Sequence, residues 1–217
     1  MNLLRLLGAL LICAALTGAQ VHSADTAAAE LGPFPVAAFI GDSYAEGAGA
    51  SSSGTRWTSL VAGRMGWIEA NLGLGGTGYL KTFENKPNYF GQLDAVAAMN
   101  PAIVVVSGGQ NDQGLLTSDA PALFAAVDQF FDQLRSRLPF ARIIGVGPSF
   151  PDALTPERYA FDQVVREAVR GIGGQYISLL RPSPVIVPAM VTPDGVHVND
   201  TGHAAIANRV LAEMYPV

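Results

Sequence analysis

The chain has 217 residues, of which 49% are apolar and 14% charged, with a formal net charge of −5. This is the balance of one ordinary globular domain with a real core, and it excludes a disordered chain. The mild acidic excess, with no run of Lys or Arg, argues against a nucleic-acid binder and against a peripheral binder of anionic membranes.

The chain opens with a short segment carrying one positive charge, Arg5, followed by an apolar run over residues 6–16 and small residues at 17–19 and 21–23. The pattern reads as an export signal over residues 1–23, too short for a comfortable membrane span. An uncleaved anchor is the alternative. A lipid attached to Cys13 is disfavoured, because Leu11-Ile12 rather than a small residue precede it. Loss of the segment removes Cys13, the only cysteine, so the mature chain has no thiolate for catalysis or for metal binding. The expected location is secreted or in the cell envelope. Residues 24–35, Ala-rich and ending Gly32-Pro33-Phe34-Pro35, read as a leader, and the catalytic domain is expected over 36–217.

Strand-like and helix-like runs then alternate. Residues 36–40, 67–72, 102–106, 142–146 and 175–180 are short apolar runs, each followed within two residues by Gly or Pro. Continuous apolar strands without polar alternation indicate burial on both faces, as in a parallel sheet. Ser118-Asp119 caps a helical stripe of Leu123, Val127, Phe130, Phe131, Leu134 and Leu138. Thr155-Pro156 starts a second helix, through Phe161, Val164, Val165 and Ala168, and Asn199 or Asp200 caps a last one with Ile206, Val210 and Leu211 inward. The order predicts a three-layer α/β/α sandwich, whose chemistry belongs beyond the carboxyl ends of the strands.

Four polar or glycine-rich blocks follow those strands: Gly41-Asp42-Ser43-Tyr44, then residues 71–76, then Gly108-Gly109-Gln110-Asn111-Asp112, and finally Asp194-Gly195-Val196-His197. A serine hydroxyl needs an adjacent base to act as a nucleophile, and His197 can accept its proton and return it to a leaving group. Asp194, three residues earlier, can fix the imidazole tautomer. The oxyanion that acyl transfer creates needs donors, and the Ser43 N–H, a glycine N–H of the second loop and the Asn111 amide are candidates.

These four blocks, in this order and spacing, resemble the SGNH hydrolases, also called GDSL esterases and lipases, along nearly the whole mature chain. The resemblance implies a flavodoxin-like α/β/α fold on a five-stranded parallel sheet. It implies Ser43 as nucleophile, His197 as base, Asp194 as orienter, an oxyanion hole of Ser43, Gly76 and Asn111, and no metal or organic cofactor. Alignment on Asn71 selects Gly76 rather than the adjacent Gly75. Tyr44 stands where the family often has Leu or Ile, and the Gly-x-Ser-x-Gly elbow of α/β-hydrolases is lacking.

The expected activity is therefore hydrolysis of a small-molecule, carbohydrate or lipid ester. The alternatives are acetyl transfer to carbohydrate at the same site, or an inactive carbohydrate- or lipid-binding relative. Other residues have structural readings. Asp42 bonds loop amides, Asn71 and Asp112 brace their loops, and His203 packs or caps within the last helix. Tyr79, Phe83, Tyr89 and Phe90 are either core or one wall of a substrate pocket. Residues 51–54 form a loop near the nucleophile. The stiff stretch 182–193 packs on the sheet or lines the pocket.

Overall fold

A computed structural model describes residues 34–214. The proposed export signal, and all of the leader before Phe34, lie outside the described residues. Five strands, β1 (Val36–Gly41), β2 (Ile68–Gly73), β3 (Ile103–Ser107), β4 (Arg142–Val146) and β5 (Gln175–Ile177), form one sheet in the order β2-β1-β3-β4-β5. Every neighbouring pair is parallel. The helices are α1 (Ser43–Glu46), α2 (Trp57–Met65), α3 (Leu93–Met99), α4 (Leu115–Ser118), α5 (Ala120–Arg137), α6 (Pro156–Gly171) and α7 (Asp200–Met214).

The two-residue period of a strand sends successive side chains to opposite layers. Ala38, Ile40, Val104, Val106 and Ile143 pack with Leu93, Val96, Leu123, Val127, Phe130, Phe131, Phe161 and Val165, from α3, α5 and α6. Ala37, Phe39, Val105, Ile144 and Val146 pack with Trp57, Val61, Ile206, Ala207 and Val210, from α2 and α7. Helices on both faces explain why the strands read as unbroken apolar runs.

The predicted caps are in place. The Asp119 carboxylate accepts from Ala122 N at 3.3 Å, the Thr155 hydroxyl from Arg158 N at 3.4 Å, and the Asn199 side-chain oxygen from Gly202 N at 3.2 Å. Of the two candidates for the last cap, Asn199 performs it. Asp200 instead accepts from Ser51 N and the hydroxyls of Ser51 and Thr55, tying the 51–55 loop to the start of α7.

The fifth strand is shorter than its apolar run. It stops at Ile177 because Ser178 Oγ accepts the amides of Leu180 and Arg181, at 3.1 and 3.0 Å, and turns the chain off the sheet. Leu179 and Leu180 remain buried as loop residues.

The chain winds from β1 outward to β2, then crosses to β3 on the other side of β1. That reversal falls between β1 and β3, and open α/β sheets hold their ligands beyond the carboxyl ends of the strands at such a point.

Candidate active site

Ser43 leaves β1 as the first residue of α1. The Asp42 carboxylate caps that turn, accepting from Tyr44 N at 3.0 Å. Burial pushes the Asp42 carboxyl up to about 7, against the lowering effect of the amide it accepts. Among the described residues the Ser43 Oγ makes no hydrogen bond, and its N–H, at the helix start, has no intrahelical partner.

Asn71, inside β2, acts as a brace. Its side-chain nitrogen donates to Ala45 O at 2.7 Å and its oxygen accepts from Gly73 N at 2.8 Å. The loop then makes a β-turn, closed by Thr77 N donating to Leu74 O at 3.2 Å, with Gly75 and Gly76 at its centre. Gly75 lies against Ser43, since a Cβ built on it would sit 3.5 Å from Ser43 Cβ. The Gly75 N–H is occupied by the Glu46 carboxylate at 3.0 Å, whereas the Gly76 N–H has no partner among the described residues.

After β3, Gly108 and Gly109 both adopt positive φ and turn the chain into Asn111. The Asn111 side chain donates to Thr77 O at 2.9 Å. Its amide thus lies beside the Gly76 turn, with a second N–H to offer. Asp112 accepts three amides, from Tyr79, Leu80 and Lys81, at 2.7, 3.1 and 2.8 Å, and so fastens the second loop to the third. It is buried, so Asp112→Ala strands those donors. The substitution is expected to cost about 2–4 kcal/mol of stability, read as a lower urea midpoint.

The last block lies between β5 and α7. His197 Nδ1 is 2.7 Å from Asp194 Oδ2. Asp194 Oδ1 accepts from the Thr192 hydroxyl at 2.6 Å and from the amides of Val196 and His197 at 2.8 and 3.0 Å. The Thr192 hydroxyl first, then these amides, hold the Asp194 carboxyl well below the usual carboxylate range. An ionised carboxylate only accepts, so Nδ1 donates to Asp194, and in the neutral ring this leaves the lone pair on Nε2. Among the described residues no hydrogen bond joins Ser43 Oγ to that ring. The loops are joined one residue away, where Tyr44 OH donates to Val196 O at 2.8 Å. That bond gives Tyr44, the residue at the aliphatic position of the family, a task that Leu or Ile lacks the hydroxyl to perform.

The remaining candidates resolve as follows. His203 is buried, with Nδ1 accepting from Trp57 N at 3.4 Å and Nε2 facing Ala48 O at 3.1 Å. It braces the first loop. Tyr79 and Tyr89 are core, and Phe90 packs edge-on against Phe130. Phe83 alone of that stretch stands exposed, against Gly76. Ile186 and Val185 pack on the sheet layer formed with α2 and α7. Glu46, Lys86 and Thr192 were not singled out from sequence. Their partners depend on the fold or on a short turn, and only the nearness of Thr192 to Asp194 offered a signal.

Residues 39–205 match the GDSL-like lipase/acylhydrolase family, and the chain belongs to that family of hydrolases. It is 30% identical over 181 residues to a GDSL lipase of Mycobacterium tuberculosis, covering 80% of this chain and 78% of that one. Among solved structures, TesA superimposes with a TM-score of 0.67 at 22% identity, over 83% of this chain and 98% of its own. A family two carbohydrate esterase from Clostridium thermocellum, in complex with cellohexaose, gives a TM-score of 0.66 at 16% identity, over 84% of this chain and 65% of its own. Both are similar in fold. Among the described residues, no helix is long and apolar enough to cross a membrane.

Proposed function

We propose that the protein is an exported serine esterase that cleaves carboxylic esters through an acyl-Ser43 intermediate. The observation that carries this reading is the Asp194–His197 pair, locked in the tautomer a general base needs and tethered through Val196 and Tyr44 to the loop of Ser43. Ser43 Oγ attacks the ester carbonyl as Nε2 of His197 takes its proton. The tetrahedral oxyanion is received by the N–H groups of Ser43 and Gly76 and the Asn111 amide, the first two of which carry no other bond among the described residues. The imidazolium returns the proton to the departing alcohol. Water, activated by the same ring, then releases the acid. Hydrogen bonds of this kind are often long before substrate arrives and tighten in its complex.

Export rests on the pattern of residues 1–23, which directs this chemistry outside the cytoplasm. The names of a GDSL lipase relative and a carbohydrate-esterase neighbour support including lipid and carbohydrate esters in the test. The test is a series of p-nitrophenyl esters from acetate to decanoate, run beside acetylated xylan. Turnover is expected on at least the short aryl esters, and its absence on every member would overturn the reading.

A further inference from the structure

The Leu74–Thr77 turn has Gly76 at its third position with φ +83°, and Gly75 is not among the glycines of positive φ. This is the signature of a type II turn; type I would place the third residue near −90°. The two types differ by a reversal of the central peptide. Here that peptide consists of the Gly75 C=O and the Gly76 N–H, which point in opposite directions. A Gly-Gly pair adopts either turn without steric penalty, so the backbone alone leaves the direction of the Gly76 N–H poorly determined.

Gly76 cannot carry a side chain without strain, because its φ is +83° and a Cβ there would lie 2.6 Å from Phe83 Cγ. A Cβ on Gly75 would meet the carboxylate end of Glu46, 2.5 Å from Oε2, and so displace that side chain from the Gly75 N–H. Something other than a side chain at those positions must choose the turn. The Glu46–Lys86 ion pair, with Nζ 3.7 Å from Oε1, grips Gly75 at both ends. Glu46 Oε2 accepts its N–H at 3.0 Å, and Lys86 Nζ donates to its carbonyl at 3.5 Å. Lys86 is delivered by a tight turn in which it and Phe83 exchange backbone hydrogen bonds, and the Phe83 ring covers Gly76.

The geometry points to a latch: Lys86, held by Glu46, fixes the Gly75 carbonyl outward and so aims the Gly76 N–H at the oxyanion. Both are positioning residues. The inference rests on the esterase reading above, in which Gly76 is an oxyanion donor. Both side chains are partly exposed, and exposed pairs contribute little to global stability, so their replacement leaves the fold intact.

The experiment compares wild type, Lys86→Met, Lys86→Arg, Glu46→Gln and Ser43→Ala on p-nitrophenyl butyrate, with butylboronic acid as a tetrahedral mimic. Lys86→Met is expected to lower kcat about tenfold, a fraction of the effect of losing one donor outright. KM should stay within about twofold, and the boronate should weaken by the same factor as kcat/KM. Lys86→Arg should restore most of the loss, and Glu46→Gln should reproduce part of it even if Lys86→Met proves unstable. A Lys86→Met enzyme with unchanged kcat and boronate affinity, beside an inactive Ser43→Ala, overturns the latch and leaves the esterase reading standing. An inactive wild type overturns both. Loss confined to KM also overturns the latch.

Discussion

Ser43→Ala is expected to lower kcat/KM for an aryl butyrate by about 10⁴- to 10⁶-fold, with little change in melting temperature. The stability half of this expectation comes from the site itself. Ser43 Oγ makes no hydrogen bond among the described residues, so its removal strands no partner. The α1 turn is held by Asp42, which accepts the Tyr44 amide, and by backbone bonds from Glu46 and Gly47. The kinetic half follows from the chemistry: without the hydroxyl no acyl-enzyme forms, and what remains is binding and oxyanion stabilisation of a water attack. His197→Ala should cost nearly as much. The double variant should cost no more than the worse of the two singles, because nucleophile and base act as one unit. Steady-state rates of the two singles and the double, with thermal melts, check all three statements. Additive losses would mean that the residues act separately.

Asn111→Ala carries the second largest expected effect, about 10²- to 10³-fold in kcat with KM nearly unchanged. An amide that donates to the oxyanion is used in the transition state far more than in the ground state, so its loss belongs in kcat. The side chain also holds Thr77 O, and a partly buried carbonyl that loses its donor costs about 1 kcal/mol. The melting temperature should therefore fall slightly while turnover falls severely. A variant with a modest, equal decline in both would mark Asn111 as a loop brace and remove it from the oxyanion hole.

The parts of this protein that could be read from sequence are those whose signals are local. The strands β1, β3 and β4 are unbroken apolar runs, and α5 and α6 announce themselves by a cap, a proline in the first turn and a regular stripe. The short α2 and α3 give weaker signals; α2 contains Gly63, and both have few residues over which a period can show. The end of β5 was hidden because Leu179 and Leu180 are buried whether they continue a strand or line a turn, and Ser178 makes the difference through hydrogen bonds to amides two and three residues on.

At the site, residue identity and order pointed to Ser43, Asn111, Asp194 and His197, and the fold brings their blocks to one end of the sheet. Alignment on Asn71 preferred Gly76 over Gly75. The structure adds a physical reason, for Glu46 already occupies the Gly75 N–H. That contact spans 29 residues, and the Tyr44–Val196 bond spans 152, so neither leaves a pattern within any short window.

The most direct test is to trap the covalent intermediate. The protein is mixed with p-nitrophenyl butyrate, quenched in acid within milliseconds, digested and weighed by mass spectrometry. One butyryl group should appear on the peptide containing Ser43, formed in a burst and absent from Ser43→Ala. Hydrolysis that proceeds with that peptide unmodified, or an acyl group that resides on another side chain, would contradict the account.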